Sequence, residues 1–305
     1  MPVRSNADAT RPVVIGVHVN ENTPRLPNPH VPWTPDEIAV TARDSESAGA
    51  SLMHFHGRTP TGTADHSAAT YAEIVRTVRA TSSLLLAPSM ANLPGATVDE
   101  RLSNLAPNQS DPATRSDFLV IDMGCANMDL LEPETGRFAT DDKVFVNDTR
   151  SQLALLDRAA DLGMKPYLTS FNISWTRTIL AHARTQSLPL PLVIAFVLGG
   201  DEFVAAHPAS AAGLRAQLDL LPSDVPVESV VSAYRGNVLA AAEESIKRGG
   251  HVAIGTGDYH YGELGHPSTP ELVERIVHIA RRYGREPASP SQARDLLGVN
   301  TYATH

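Results

Sequence analysis

Short apolar runs rich in β-branched residues and leucine alternate along this chain with longer stretches whose apolar positions recur every three or four residues. The first pattern suits strands buried on both faces, and the second suits amphipathic helices that cover them. Eight runs read as strands: VVIGVHV (13–19), SLMHFH (51–56), LLLAP (84–88), DFLVID (117–122), PYLTSF (166–171), LVIAFVLG (192–199), VESVVSA (227–233) and HVAIG (251–255). Between them TPDEIAVTARDSESAG, SQLALLDRAADLG and TPELVERIVHIARRYG carry the helical period. The first and third open on Thr-Pro, an N-cap followed by proline at the first helical position, and all three end at a glycine able to close a helix. Eight such units predict a (β/α)8 TIM barrel, whose chemistry sits at the C-terminal ends of the strands. An open doubly wound sheet is the alternative, but no GxGxxG follows the first strand.

Residues 1–12 are polar and read as a disordered tail, which leaves residues 13–305 as a single barrel domain. PASPSQARDLLG (287–298) reads as a turn and a short extra C-terminal helix, and the proline-rich NENTPRLPNPHVPWTP (20–35) as a structured loop over the barrel mouth. The formal net charge of -9, without a Lys/Arg cluster, argues against nucleic acid and against a polybasic membrane surface. No apolar leader and no spanning segment is visible, so a cytoplasmic protein is expected. Cys125 is the sole cysteine, which rules out an intrachain disulfide; no base is placed to activate it, and it reads as a packing residue. His182, His207 and His278 read as surface residues.

Candidate chemistry gathers at two of the strand ends. His54 and His56 in MHFHGRTP lie two apart on a strand, so both project to one side, into the mouth. A pair of imidazoles suits a divalent metal but is half of a zinc site, which needs a third protein ligand. After the last strand, GTGDYHYGELGH carries Asp258, a general base or an orienter of a ligand histidine, and His260, a possible ligand. His18 ends the first strand, with Asn20, Glu21 and Asn22 beyond it as polar contacts or a solvated turn. Ser89 stands in the equivalent place on the third strand, to bind a carboxylate, orient a water or cap a helix.

Taken in order, PHVPWTPDE, LMHFHGR, FVLGG, GGHVAIGTGD and EPASPSQARDLLG resemble the β-keto acid cleavage enzymes, the 3-keto-5-aminohexanoate cleavage family, from about residue 13 to 298. The resemblance implies a zinc-dependent transferase that condenses a β-keto acid with acetyl-CoA, giving acetoacetate and a new CoA ester, in a homo-oligomer. It implies His54 and His56 as metal ligands, Asp258 as base, and Ser89 and Arg58 near the substrate.

The chain also departs from the family pattern. The family's third ligand, a glutamate, falls on Gly257, its carboxylate-holding arginine on Ala253, and a strand-four threonine on Val120. A glutamate after the first strand falls near Asn22, with Glu21 adjacent, and the fifth strand, acidic in the family, reads YLTSF. His260, Glu21 or His18 would then complete the metal site, with His260 the ligand expected here. Arg58 or Arg235 would replace the missing arginine. A metal-dependent lyase or hydrolase that does not use CoA, and a non-catalytic metabolite-binding barrel, are the competing readings.

Overall fold

The computed structural model describes residues 11–21, 23–91 and 95–299; most of the N-terminal tail, Asn22 and the last residues lie outside that range. Eight parallel strands form a nearly closed barrel: β1 (Ile15–His18), β2 (Leu52–Phe55), β3 (Leu85–Pro88), β4 (Phe118–Asp122), β5 (Lys165–Ser170), β6 (Leu192–Gly199), β7 (Val227–Tyr234) and β8 (His251–Ile254). Neighbours pair in sequence order, β8 pairs with β1, and β3 meets the foot of β4 through Asp117 N–H donating to the Leu86 carbonyl at 3.0 Å. The sequence-predicted strands and the observed ones coincide.

Strand alternation sorts the apolar residues into two layers. Val14, Leu52, Leu85, Ala87, Phe118, Tyr167, Val193, Ala195, Val230 and Ala253 fill the barrel itself. The alternate positions, such as Val17, Met53, Leu86 and Ile194, pack outward against the helices. Helices α1 (Pro35–Ala48), α2 (Ala68–Arg79), α3 (Val98–Arg101), α4 (Thr149–Asp161), α5 (Ile173–Thr185), α6 (Ala211–Leu218), α7 (Leu239–Lys247) and α8 (Thr269–Arg282) surround it. The extra helix α9 (Pro290–Leu296) closes the N-terminal end, where Ala293, Leu297 and Val299 join the inner cluster. Among the described residues no helix is long and apolar enough to cross a membrane.

The helix signals hold with one exception. Thr34 caps α1 in a full capping box with Glu37, and Gly49 ends it at φ 117°. At α8 the cap is Ser268, whose N–H and hydroxyl both donate to Glu271, at 2.8 and 2.7 Å. Thr269 is already helical and faces Thr256, their hydroxyls 3.1 Å apart beyond β8. Two other expectations are corrected. His182 is buried and reaches Gln152 Oε1 at 3.0 Å, tying α5 to α4. Cys125 is exposed, because the chain leaves the barrel there for an excursion the apolar pattern does not announce. Its two-residue ladders pair Ala126–Asn127 with Val144–Phe145 and Leu131–Glu132 with Arg137–Phe138, too short for a period to register.

Lys165, at the foot of β5, is buried with its ammonium on the Pro189 carbonyl at 3.0 Å. Burial lowers its pKa from the ordinary 10.5 to about 8. Between those values the unfolded chain binds more protons than the folded one, so stability rises with pH across that window. Lys165→Met removes this rise. The difference in unfolding free energy between variant and parent, from urea titrations, is expected to favour the variant at pH 7 and to shrink by up to about 3 kcal/mol toward pH 10.5.

Candidate metal and catalytic site

The site grows from the ends of β1, β2 and β8. His18 and His54 are register partners across β1 and β2, which sets their rings 5.2 Å apart at the mouth. His56 lies one alternation beyond His54, and Asn20 aligns it: the Asn20 side chain accepts from His56 N–H at 2.9 Å and donates to the His56 carbonyl at 3.0 Å. A side-chain amide thus continues the ladder where the strands have ended.

Glu21 completes the group. Its carboxylate oxygens lie 2.6 Å from His56 Nε2 and 3.1 Å from His54 Nε2, and the two Nε2 atoms lie 3.2 Å apart. His54 Nδ1 is 2.5 Å from the Ala87 carbonyl, which can only accept, so Nδ1 carries the proton of the neutral ring and Nε2 turns a lone pair to its neighbours. Lone pairs and a carboxylate facing one another repel unless a proton or a cation sits among them. A tetrahedral ion with bonds of about 2.0–2.1 Å spaces its ligands roughly 3.3 Å apart, so both the spacing and the donor chemistry fit a divalent metal such as zinc. Burial alone would raise the Glu21 pKa, but His54 and His56 hold it well below the ordinary carboxylate value.

Gly257 explains why the carboxylate comes from the β1 loop. A Cβ at 257 would lie 2.6 Å from the Asn20 backbone nitrogen and 2.9 Å from that of Glu21. The loop after β1 occupies the space that a side chain at 257 would need. The Thr23 hydroxyl donates to the Gly257 carbonyl, and Gly257 N–H donates to the His18 carbonyl at 2.9 Å.

Arg58, expected beside the substrate, holds that loop instead. It is buried and makes five hydrogen bonds to backbone carbonyls: Nε and Nη2 to Glu21, Nη2 to Asn20 at 3.1 Å, and Nη1 to Thr23 and Gly62 at 3.1 Å each. A guanidinium has five N–H donors, so none is left for a ligand. Glu21 sits at φ 30°, a conformation unfavourable for a side-chain-bearing residue, and these bonds keep it there.

Asp258 faces His18, with Nδ1 2.9–3.0 Å from both carboxylate oxygens. Burial works against a charge on His18, yet Asp258 raises its pKa to about 9. The Asp258 pKa is raised by its own burial and restrained by His18. His18, Glu21 and Asp258 also present ligand atoms within 4.8 Å of one another, so Asp258 adjoins the histidine group through Glu21.

The remaining candidates fall into different surroundings. Ser89 is buried with its hydroxyl 2.7 Å from that of Tyr71. His260 belongs to neither group of clustered ligand atoms; its charged neighbours are Arg235, His266 and Glu202. Arg235 pairs with Glu202 at 2.5 Å on the rim, and its N–H donates to the Asp258 carbonyl at 2.9 Å. Asn22 lies outside the described residues. Sequence reasoning passed over Asp122 as a site residue; here it accepts from the Thr169 hydroxyl and feels the charge of Arg101, while burial raises its pKa. Its place at the end of β4, on the inward face, was the available signal.

Fold and site together define a class: a (β/α)8 barrel with a histidine–carboxylate group and a paired aspartate at its C-terminal mouth. The sequence profile of the beta-keto acid cleavage enzymes matches residues 12–299, and the chain belongs to that family, an enzyme of carbon–carbon cleavage and acyl transfer. It is 30% identical over 278 residues to the 3-keto-5-aminohexanoate cleavage enzyme of Acetoanaerobium sticklandii, covering 90% of this chain and 93% of that one. It is 25% identical over 293 residues to the 3,5-dioxohexanoate:acetyl-CoA acetone transferase of Paraburkholderia graminis, covering 90% and 91%. Among solved structures, apo ObcA superposes with a TM-score of 0.71 at 16% identity, covering 88% of this chain and 66% of ObcA, a likeness of fold.

If Arg58 is a loop clamp, Arg58→Met leaves several buried carbonyls unpaired and lowers stability by about 2–4 kcal/mol in urea unfolding. Arg58→Lys recovers little of that, since one ammonium cannot span carbonyls that a planar fork reaches.

Proposed function

We propose that the protein is a metal-dependent β-keto acid cleavage enzyme that uses acetyl-CoA, with zinc or a similar divalent ion held by Glu21, His54 and His56. The observation that carries this reading is the cluster of those three side chains, their ligand atoms within 4.8 Å of one another, at the mouth of a barrel of this family. Acetyl-CoA enters from the name of the Paraburkholderia graminis relative. The bound ion supplies Lewis acidity toward a carbonyl oxygen.

In this reading Asp258 is the catalytic base. It takes a proton from the carbon between the keto and carboxylate groups of the β-keto acid, and His18 holds it in place and offsets its charge. That carbon attacks the acetyl carbon of acetyl-CoA and displaces the CoA thiolate; the thiolate then attacks the original acyl carbon, whose bond to the central carbon breaks, and Asp258 returns its proton to that carbon. The products are acetoacetate and a new CoA ester, and the base ends as it began. Ser89, at the end of β3 with its hydroxyl on that of Tyr71, contacts the substrate in this reading.

Elemental analysis of the purified protein tests the ligand set. About one zinc per chain is expected in the parent and in His260→Ala, and a large loss in Glu21→Ala and in the His54→Ala, His56→Ala double variant. Metal retained by Glu21→Ala and lost by His260→Ala would reverse the assignment of the third ligand. For the reaction, acetyl-CoA-dependent acetoacetate formation should fall by roughly 10²–10⁴-fold in Asp258→Asn, with metal content unchanged.

A further inference from the structure

Away from the mouth, one side of the barrel leaves apolar and charged groups uncovered. An open groove of about 910 Å³ runs along the outer face of α5, between α4 and the turn after α6. Leu153, Ile173, Ala181 and Leu220 give it apolar walls, and Arg177 and Arg184 give it charge. The two arginines stand two helical turns apart on one face, about 10 Å along the axis. Neither makes an ion pair or a side-chain hydrogen bond among the described residues, and no acid lines the groove, in a chain of net charge -9.

The excursion after β4 carries the complement as a projecting arm. Its hairpin pairs Leu131–Glu132 with Arg137–Phe138. Asp129, Glu132, Glu134, Asp141 and Asp142 outweigh Arg137 and Lys143 there. Lys143 pairs with Asp142 at 3.0 Å, whereas Glu134 and Asp141 make no ion pair or side-chain hydrogen bond among the described residues. Phe138, Val144 and Val146 on the arm are 53%, 59% and 63% exposed, and Ile173 at the groove is 36% exposed. Half of the large apolar side chains left exposed among the described residues therefore fall on the arm and the groove, a concentration that marks a contact surface.

The arm does not fill the groove of its own chain. Leu131 N–H donates to the Glu202 carbonyl at 2.9 Å, and the Phe145 and Trp175 rings pack with centroids 6.4 Å apart. With the arm pinned in this way, Arg177 and Arg184 stay unpaired. Trp175 belongs to the first turn of α5, so arm and groove adjoin on one face of the molecule. A two-fold axis through that face lets two copies exchange arms reciprocally, each contact made twice.

We propose that this face is an interface with a second copy of the chain, the acidic arm of each lying in the arginine groove of the other. Phe138, Val144 and Val146 then meet the apolar walls, and Glu134 and Asp141 meet Arg177 and Arg184. Opposite signs at the two contact surfaces select this register between chains that otherwise repel. A polyanion would seek the same arginines, but it would be repelled by the adjoining arm and would leave the arm's apolar side chains uncovered.

Sedimentation velocity of the full-length protein tests the interface by charge exchange. One variant, Arg177→Glu with Arg184→Glu, reverses the groove; another, Glu134→Lys with Asp141→Lys, reverses the arm. The parent is expected to sediment as two or more chains. Each variant alone sets like charge against like at both contacts and should fall to a smaller species, its dissociation constant raised by at least about a hundredfold. An equimolar mixture of the two variants should recover the parent's mass, because every arm then meets a groove of opposite sign, and a chain carrying all four substitutions should assemble by itself. Either recovery also shows that the substituted chains are folded. The proposal is overturned if the parent is a monomer at micromolar concentration, if either variant alone keeps the parent's mass, or if neither the mixture nor the fourfold variant regains it.

Discussion

The guanidinium of Arg58 binds the carbonyls of Asn20, Glu21, Thr23 and Gly62, and through them it fixes where the Glu21 carboxylate stands. The constraint is steric as well as electrostatic. The loop after β1 passes so close to residue 257 that only glycine leaves it room. A buried arginine, an absent side chain and a strained glutamate therefore act together: the first anchors the loop, the second admits it, and the third is what it delivers to His54 and His56.

This arrangement changes how a lost family residue is understood. Gly257 in the place of a ligating glutamate looks, along the sequence, like a damaged site. In three dimensions the vacated volume is filled by backbone from another strand, and a carboxylate from that backbone reaches the same histidines. Nearby, Asp258 pairs with His18, and both lie within reach of Glu21.

The lining of the barrel has moved toward neutrality. Where the family pattern carries an arginine this chain has Ala253, and its fifth strand offers Tyr167 and Thr169 in place of an acid. Thr169 is occupied with Asp122, whereas Tyr167 is buried without a partner. On that strand hydroxyls stand where the family pattern has a charge. Such groups discriminate by hydrogen bonds left unmade, rather than by long-range charge.

The barrel and the inward direction of His54 and His56 were legible in the chain because both follow from alternation in apolar strands, a local property that repeats with period two. The extra helix and the turn glycines were legible for a similar reason, since caps and turns are written in neighbouring residues. Arg58 looked like a substrate contact because nothing in MHFHGRTP reveals which carbonyls will surround its guanidinium. His260 looked like a third ligand because it shares a motif with Asp258, whereas Glu21, on the far side of the sequence, shares the space. Ligand sets and clamps are decided by which strand ends meet and how closely their loops pass, and such distances arise only when the barrel closes.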